Sequence, residues 1–372
     1  MQTWHIITCE YPPQVGGVSD YTRLLAQHLA KSGEEVHVWA PSCLEVSSEA
    51  RESTVFIHRT LGDFSRRNFA HTEARLHLEE SPRILLQYVP HGYGYRAMNI
   101  WLCRWIESLA RKSASVDLMV HEPYLDSSGT WKQRLVSQVQ RRMIRTLLRS
   151  SKRVFISIPG WNRYLQPYAP SHITLEWLPI PATIEQRPVV RSKAAVPRVG
   201  HLGTYPAGIR ALLEPALKEL LQQHPNCELL LMGRNSADFA VRLGASTRIK
   251  ATGLLRDAEV SQHISSCDLM LQPYPDGLST RRTSLMNPLS HGIAVVTNSG
   301  HLTEDFWPST GAVCLTTPSN LGAECLRLLS DPNARSNLAE RGERLYRSRF
   351  DWPLVVSALR SSPESRTADA KY

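Results

Sequence analysis

Short apolar runs alternate along this chain with longer segments whose apolar residues recur every three or four positions. Residues 4–8 predict a buried strand and residues 36–40 predict a second one. Between them, Leu24, Leu25 and Leu29 have the spacing of one helix face. A strand, a helix and a strand within about 40 residues form a βαβ unit, which predicts a parallel sheet with a right-handed crossover.

The same alternation continues to the end of the chain and begins afresh after a proline-rich stretch at 175–198. Further runs predict strands at 84–89, 117–120, 153–158, 199–203, 228–232, 248–253, 268–272 and 293–297. We therefore predict an α/β protein with an N-terminal Rossmann-like domain at 1–185 and a C-terminal one at 186–372. The final helix, at about 350–362, either stays with the second domain or packs back on the first.

Composition narrows the class of protein. The 372 residues are 42% apolar and 21% charged, which is ordinary globular usage and excludes collagen, coiled coil and global disorder. The seven cysteines are odd in number and include no C-x-x-C pair, which favours a reducing compartment. Residues 1–10 lack the features of a signal peptide, and no apolar run is long enough to span a bilayer. We expect a cytoplasmic protein, at most peripheral on the inner face of a membrane.

The net charge of +9 points to an anionic partner, but it is concentrated in one segment. Residues 132–153 hold eight basic side chains and no acidic one, and they account for all but one of the net charges. Apolar residues form one stripe on this predicted helix. Two interpretations stay open: a core-packed helix with a solvated face, or a basic amphipathic helix on anionic lipid. Nucleic acid is disfavoured because no aromatic residues interleave with the arginines.

Two glycines, Gly16 and Gly17, lie between the first predicted strand and the first predicted helix, for which Ser19 is the expected N-cap. Glycines there let a ligand approach the backbone closely, and the helix N-terminus favours an anion. A plain tight turn is the equally weighted alternative.

The segment 92–97 matches the dinucleotide fingerprint G-x-G-x-x-A, but it lies far downstream of the first strand. A chance match in a Gly/Tyr loop is therefore favoured over an NAD site. His91, Tyr93 and Asn99 of the same loop are candidates for contact with an acceptor molecule.

His121 and Glu122 directly follow the strand at 117–120. The carboxyl ends of strands in open α/β sheets face the ligand crevice, so these two residues are candidate catalytic residues. A structural role for the lone histidine is the alternative.

The densest polar constellation is 276–284, which reads Asp-Gly-Leu-Ser-Thr-Arg-Arg-Thr-Ser. Arg281 and Arg282 lie just before a predicted helix and can fork onto phosphate oxygens. Two neighbouring arginines repel each other unless an anion or a carboxylate lies between them. We therefore favour a phosphate or pyrophosphate site over a capped, solvent-facing turn.

Several catalytic motifs are absent from the sequence: G-x-x-x-x-G-K-[ST], H-E-x-x-H, G-x-S-x-G and D-x-D. Walker ATPases, zincins and α/β-hydrolases are disfavoured accordingly. The missing D-x-D also removes the usual carboxylate pair that holds a metal ion on a nucleotide diphosphate.

The order of these motifs resembles the family 4 retaining glycosyltransferases, which have the GT-B fold. Residues 10–18 (Glu-Tyr-Pro-Pro-Gln-Val-Gly-Gly-Val) and 35–38 resemble the opening of that family. Further segments resemble the strand ends and the closing segment of its C-terminal domain: 199–203, 231–233, 253–255, 266–273, 291–296 and 350–352. The likeness covers nearly the whole chain.

The resemblance implies two facing Rossmann-like domains with parallel sheets and a cleft between them. It implies a nucleotide-sugar donor on the C-terminal domain and an acceptor on the N-terminal domain. Sugar transfer would proceed with retention of configuration, without a bound metal or other cofactor. His121 resembles the family's strand-end histidine that contacts the transferred sugar. The expected donor-binding residues are Gly16, Gly17, Gly203, Thr204, Gly233, Asp276, Gly277, Ser279, Thr280, Arg281, Arg282 and Asn287.

The chain departs from the family pattern at two places. Where the family carries a pair of glutamates, this sequence has Ser279 and Asn287. The family's Arg and Lys after the first C-terminal strand are replaced by residues 204–208, Thr-Tyr-Pro-Ala-Gly. We expect Arg281 and Arg282 to supply the missing positive charge from the other loop.

Two functions from different classes follow. The first is a glycosyltransferase that acts on a glycan or lipid-linked acceptor in bacterial-type glycan or glycolipid synthesis. The second is a catalytically silent, GT-B-like partner or binding subunit, which the lost glutamates and the missing Arg and Lys favour. The sequence leaves the sugar, the base and the acceptor open.

Overall fold

The computed structural model describes residues 2–76, 82–112, 114–124, 130–187, 196–244 and 246–361 of the chain. The chain divides into two compact units, which we call unit 1 (Met1–Pro179 with Trp352–Tyr372) and unit 2 (Ile180–Asp351). The crossing between them follows Pro179, a few residues before the boundary predicted at 185. Residues 188–195 of the predicted linker lie outside the described part.

The strands that the structure describes are, in chain order, β1 (Thr3–Ile7), β2 (Glu35–Trp39), β3 (Glu49–Glu52), β4 (Val55–His58), β5 (Arg83–Tyr88), β6 (Ser115–Val120), β7 (Arg153–Ile156), β8 (Leu175–Trp177), β9 (Arg198–Leu202), β10 (Glu228–Met232), β11 (Ile249–Ala251), β12 (Leu269–Leu271), β13 (Ala294–Asn298) and β14 (Cys314–Thr316). Strands β1 to β8 form the sheet of unit 1, and β9 to β14 form the sheet of unit 2.

The described α-helices are α1 (Gly17–Lys31), α2 (Arg66–Glu73), α3 (Ile100–Arg111), α4 (Trp131–Ser150), α5 (Asn162–Leu165), α6 (Ala207–Gln223), α7 (Ser236–Leu243), α8 (Asp257–Ser265), α9 (Thr283–Ser290), α10 (Trp307–Thr310), α11 (Leu321–Ser330), α12 (Pro332–Arg349) and α13 (Trp352–Arg360). The predicted class, α/β with two parallel-sheet Rossmann-like domains, is confirmed.

Strand order fixes where each unit can bind a ligand. The sheet of unit 2 runs β11-β10-β9-β12-β13-β14 and is parallel throughout its described pairs. The sheet of unit 1 runs β3-β4-β2-β1-β5-β6-β7-β8, and only β3 and β4 pair antiparallel. In both sheets the order reverses beside the first strand, between β1 and β5 and between β9 and β12. Ligands of doubly wound sheets bind outside the carboxyl ends of the strands at such switch points.

Burial explains which strands the sequence predicted. All six residues of β5 are buried, as are four of the five in β10, because helices cover both faces of a parallel sheet. The hairpin β3–β4 was not predicted. Strand β3 (Glu-Ala-Arg-Glu) is an exposed edge strand, so it carries no apolar run.

A buried arginine ties the last helix to unit 1. Arg153, at the start of β7, donates to the carbonyl oxygens of Ala358 at 2.9 Å and Leu359 at 3.1 Å, at the end of α13. The same guanidinium lies 4.0 Å from the carboxylate of Asp117. A cation at a helix C-terminus meets the unsatisfied carbonyls and the negative end of the helix dipole. One of the eight basic residues of segment 132–153 is therefore structural.

A carboxylate of the same chain caps the N-terminus of helix α1. The Oε1 atom of Glu10 accepts hydrogen bonds from the N–H groups of Val18 at 2.9 Å and Ser19 at 3.0 Å. These are amides of the first turn, which have no partner inside the helix. Ser19, the predicted N-cap, is instead inside the helix, and its hydroxyl donates to the Gln14 carbonyl. That prediction was wrong because a side chain upstream of the turn supplies the cap.

The cap explains why Gly16 is a glycine. Its backbone is extended (φ −174°), a conformation that any residue adopts, but a Cβ there would overlap the Glu10 carboxylate. We predict that Gly16→Ala displaces this carboxylate and lowers the free energy of unfolding by about 1 kcal/mol, the usual cost of a lost N-cap. Urea denaturation of the two proteins measures the difference.

Gly17→Ala is the matched control, because a Cβ at Gly17 meets nothing within 4 Å. It should leave the stability unchanged or raise it by about 0.5 kcal/mol through lower chain entropy in the unfolded state. Glu10→Ala should cost as much as Gly16→Ala, and the double variant no more than either. Losses that simply add up would contradict a shared cap.

Candidate functional site

The predicted site residues of unit 1 lie at the carboxyl ends of β1, β5 and β6, around the switch point of its sheet. Those of unit 2 follow β9, β10 and β12, with Asn287 inside α9. Because parallel strands end at one edge of a sheet, the loops of each unit lie on a single edge.

His121 is a buried, uncharged residue at the end of β6. Its N–H donates to the Tyr88 carbonyl at 3.0 Å, and its ring Nε2 lies 2.7 Å from the amide oxygen of Gln87. The ring of Tyr21 packs edge-on against it. Burial lowers the pKa of His121 to about 4, so the imidazole is neutral at ordinary pH. With Nε2–H donating to Gln87, Nδ1 is the nitrogen that can accept a hydrogen bond.

Glu122, the next residue, faces solvent. The structure brings it close to a predicted acceptor residue, since the Nδ1 atom of His91 lies 3.6 Å from its carboxylate. The side chains of His91 and Glu122 are 67% and 43% exposed, so the pair adds little stability. Both groups are accessible to a ligand at this edge of unit 1.

An open cavity of about 670 Å³ adjoins this edge, which is a size suited to a small organic ligand. It is lined by Cys9, Gln14, Pro41, Ser42, Gly62, Asp63, Phe64, His91, Gly92 and Gly94. His91 is the predicted acceptor residue among them. Gln14, Gly92 and Gly94 lie in segments that the sequence analysis noted for other reasons, but their meeting with the remaining residues was not predicted, because the lining comes from four loops whose convergence depends on the fold. Asp63 is the carboxylate of the lining, and none of these residues is a Lys or an Arg.

Tyr93 and Asn99, also predicted to contact an acceptor, are core residues. Tyr93 is fully buried, and its hydroxyl donates to the Gln87 carbonyl at 2.5 Å. Asn99 caps α3 by accepting from the Leu102 N–H, and its amide donates to the carbonyls of Phe64 and Tyr93. Their polar atoms shape the loop beside the cavity, and of the three residues predicted to contact an acceptor, His91 is the one with an exposed side chain.

The glycine pair of α1 needs a different explanation from the predicted one. The amides that a donor phosphate was expected to meet are bonded to Glu10, and Gly16 makes room for that carboxylate. A phosphate could reach these amides only by displacing Glu10.

In unit 2, Gly203 and Gly233 pack backbone against backbone. The N–H of Gly203 donates to the Met232 carbonyl at 3.1 Å, and a Cβ on Gly233 would overlap the carbonyl oxygen of Gly203. Gly233 also has φ +111°, which few other residues adopt. These glycines keep the ends of β9 and β10 close together, and Thr204 follows them as an exposed residue.

The arginine pair meets on one carboxylate. The Nη2 atoms of Arg281 and Arg282 lie 3.1 Å and 3.0 Å from the same oxygen, Oδ2 of Asp276. The guanidinium of Arg282 also stacks over the ring of Tyr274, 4.9 Å from its centroid. A carboxylate between the arginines was the stated alternative to a bound anion, and the described structure contains it.

Glu304, which the sequence analysis missed, fixes the loop from outside. Its Oε1 atom accepts from the N–H of Thr280 at 2.8 Å and from its hydroxyl at 2.6 Å, while Oε2 accepts from the Trp307 indole at 2.8 Å. Burial raises the pKa of Glu304, and the hydrogen bonds from Thr280 oppose that rise. No local pattern links residues 24 positions apart, so only the fold reveals this contact.

The two positions where glutamates were expected have structural surroundings. Ser279 is buried, and its hydroxyl has no hydrogen-bond partner among the described residues. The Oδ1 atom of Asn287 accepts from the N–H groups of Thr183 at 2.8 Å and Ile184 at 3.0 Å. Asn287 therefore holds the first segment of unit 2, and its oxygen is not available to a ribose. Gly277, at φ +84°, packs against the backbone of Gly300.

Helix α4 carries six of the eight basic residues of segment 132–153, and its two ends differ. Met143, Ile144 and Leu147 bury its second half in unit 1. The exposed stripe begins with Trp131 (71% exposed) and Leu135 (54% exposed), whereas its later positions hold exposed arginines. These arginines are Arg142, Arg145 and Arg149. The described second half of the predicted apolar stripe therefore packs in unit 1, as the core-packed interpretation expects, and these arginines lie on the solvated face.

The chain matches no protein-family model and no curated protein sequence. Solved structures resemble it over nearly its full length. Sucrose-phosphate synthase from Thermosynechococcus elongatus is 15% identical, with 96% of this chain and 97% of that chain covered and a TM-score of 0.75. HepE from Anabaena, solved in complex with UDP and glucose, is 14% identical, with coverage of 96% and 98% and a TM-score of 0.67.

A third similar structure is WaaG, a glycosyltransferase involved in lipopolysaccharide biosynthesis. It is 14% identical, with 95% of this chain and 98% of that chain covered and a TM-score of 0.63. At such identities the likeness establishes the fold, and the fold that this chain shares with these proteins is GT-B.

Proposed function

We propose that this protein is a glycosyltransferase that moves a sugar from a nucleotide-diphosphate donor to an acceptor hydroxyl. The observation that carries the proposal is the likeness of almost the whole chain to GT-B structures, one of which holds UDP and glucose. Unit 2 takes the donor at its switch point, where Arg281 and Arg282 lie. Unit 1 takes the acceptor beside His91.

The chemistry of the cavity in unit 1 suits an acceptor rich in hydroxyl groups. Gln14, Ser42, Asp63 and His91 can donate or accept hydrogen bonds there, and the cavity lining includes no cation for a phosphate. A glycan or the sugar of a glycolipid fits this pattern. We place the reaction in bacterial-type glycan or glycolipid synthesis on the resemblance to family 4.

We propose that transfer retains the configuration of the sugar and uses no bound metal. The bond from the sugar's anomeric carbon to the donor phosphate breaks, and a bond to the acceptor oxygen forms on the same face. The acceptor proton passes to the departing phosphate oxygen, so no separate carboxylate base is needed. Arg281 and Arg282 stabilise the charge that builds on the diphosphate.

His121 has a defined part in this proposal. As a neutral imidazole it offers a hydrogen-bonding nitrogen to the sugar without adding charge. Glu122 follows His121 in the sequence, and His91 lies 3.6 Å from the Glu122 carboxylate, so we assign this exposed pair to the acceptor side.

The donor site is tested with a panel of UDP-, GDP- and ADP-sugars, read by thermal shift and donor hydrolysis. We predict that nucleotide-sugars with one of these bases raise the melting temperature of the protein. The double variant Arg281→Ala/Arg282→Ala should abolish this shift, because the diphosphate loses its hydrogen bonds to both guanidinium groups. Arg256→Ala, an exposed arginine at the start of α8, is the control that should leave the shift intact. A shift that survives the double variant would exclude this arginine site.

The neutral state of His121 leads to a second prediction, which concerns the pH dependence of the transfer rate. The folded protein holds its pKa near 4, so this residue stays neutral as the pH falls from 8 to 5.5. The rate of transfer should therefore show no acidic limb from His121 in that range, while His121→Ala lowers kcat about a hundred-fold at every pH. An acidic limb near pH 6.5 in the native protein that His121→Asn removes would contradict the neutral assignment.

A catalytically silent partner subunit is the second candidate. It is favoured by one set of observations: Glu10 occupies the amides of α1, Asp276 occupies the arginine pair, and Asn287 is bonded to its own chain. The same panel discriminates between the two, since neither a thermal shift nor hydrolysis with any nucleotide-sugar would favour the silent subunit.

We also propose that unit 1 meets an anionic membrane surface on the cytoplasmic side through α4. Among the described helices, none is long and apolar enough to cross a bilayer. Trp131 and Leu135 offer an apolar tip, and the arginines along the stripe each contribute about 1 kcal/mol near anionic lipid. Such contact would bring a lipid-linked acceptor to unit 1.

Flotation with phosphatidylglycerol–phosphatidylcholine vesicles tests the membrane proposal. The native protein should float at low salt, and both Trp131→Ala/Leu135→Ala and Arg142→Gln/Arg149→Gln should reduce the bound fraction at least five-fold. Val241→Ala removes an equally exposed apolar side chain from unit 2 and should have no effect. Failure of the native protein to bind these vesicles at low salt would contradict the membrane proposal.

A further inference from the structure

In the loop between β12 and α9, two arginines share one carboxylate. Arg281, Arg282 and Asp276 carry a net charge of +1, and all three are partly accessible, with 16%, 27% and 37% of their side chains exposed. Ion pairs with this exposure are weak, because water competes for both partners. Solvent, and with it a dissolved anion, can therefore reach the carboxylate that the two arginines share.

The shape of the loop does not depend on Asp276. Thr280 is held by the Glu304 carboxylate, and the N–H of Leu278 donates to the Asn298 carbonyl at 2.9 Å. The backbone of Asp276 is fixed separately, since its carbonyl accepts from the Leu302 N–H at 3.0 Å. Movement of the Asp276 side chain alone would remove the carboxylate that both guanidinium groups share, without a change in this backbone.

One arginine keeps its position when the carboxylate leaves. Arg282 stacks on Tyr274, whose hydroxyl lies 2.9 Å from the Ser284 hydroxyl and whose N–H donates to Asn298 at 2.8 Å. The aromatic platform is thus fixed by contacts that do not involve Asp276. The guanidinium stays aimed at the place that the carboxylate vacates.

From these contacts we propose that Asp276 is a built-in counter-ion that competes with the donor diphosphate for Arg281 and Arg282. The inference rests on the proposed function, and it adds how that site is regulated. The carboxylate lies between the two arginines and yields to a diphosphate, which carries more charge and more acceptor oxygens. A singly charged anion gains little by the exchange, so the arginine pair discriminates in favour of diphosphates.

The competition predicts an unusual direction for a charge-removing variant. Asp276→Asn should bind inorganic pyrophosphate about ten-fold more tightly than the native protein, because the native carboxylate must first be displaced. Ten-fold corresponds to about 1.4 kcal/mol, the scale of two partly exposed ion pairs. Acetate, a monoanion, should bind neither protein measurably.

Isothermal titration calorimetry with inorganic pyrophosphate measures this effect on the full chain. Asp276→Ala is the second variant and should also bind more tightly, by the same argument. Asp305→Asn removes the same charge from an exposed position of unit 2 and should leave the affinity unchanged. Arg281→Ala with Arg282→Ala should abolish binding. Urea denaturation confirms that each variant is folded.

Equal or weaker binding by both Asp276 variants would overturn the proposal and make the carboxylate a support for the arginines. Absence of pyrophosphate binding in the native protein and in both variants would overturn it as well. Binding that appears only when Asp276 is replaced would support it in its strongest form.

The result is separable from the proposed transferase activity. Tighter pyrophosphate binding by Asp276→Asn with no response to any nucleotide-sugar would keep the counter-ion and reject the transferase. A thermal shift or hydrolysis with a nucleotide-sugar, without tighter pyrophosphate binding by the Asp276 variants, would keep the transferase and reject the counter-ion.

Discussion

The structure depends on a single electrostatic constraint, which is that convergent hydrogen-bond donors at a strand end need an anion. Each unit meets the constraint with a carboxylate of its own chain. Glu10 accepts from two first-turn amides of α1, and Asp276 accepts from two guanidinium groups before α9. Both carboxylates lie at the switch points of parallel sheets, where a ligand would bind. The loops that look most like phosphate sites in the sequence therefore each contain a carboxylate that already accepts from their donors.

The two carboxylates are not equivalent, and their surroundings explain the difference. The Glu10 carboxylate caps α1, and a side chain larger than hydrogen at position 16 would overlap it. Loss of Glu10 would leave the first-turn amides of α1 without a partner. Among the described residues, the Asp276 carboxylate accepts from the two arginines, whereas Glu304, Asn298 and the backbone hold its loop. The first carboxylate is a structural cap, and the second is suited to exchange with a ligand. The donor site of a GT-B protein would accordingly lie in unit 2, with the acceptor beside the cavity of unit 1.

The fold was largely predictable, because buried parallel strands leave continuous apolar runs such as β5 and β10. Strand β3 escaped prediction since an exposed edge strand needs no apolar residue. The site was less predictable. Residue types indicated Arg281 and Arg282, but sequence spacing does not tell whether a polar residue is buried. Tyr93 and Asn287, which were predicted to contact ligands, are buried and bonded to their own chain. The contacts of Glu10 and Glu304 join residues that only the folded chain brings together.

A crystal structure of the complex with UDP tests most directly whether Arg281 and Arg282 exchange Asp276 for a diphosphate. We predict that both guanidinium groups lie on phosphate oxygens and that the Asp276 carboxylate has turned away, with Thr280 still bonded to Glu304. A diphosphate bound elsewhere, with both arginines still on Asp276, would contradict it.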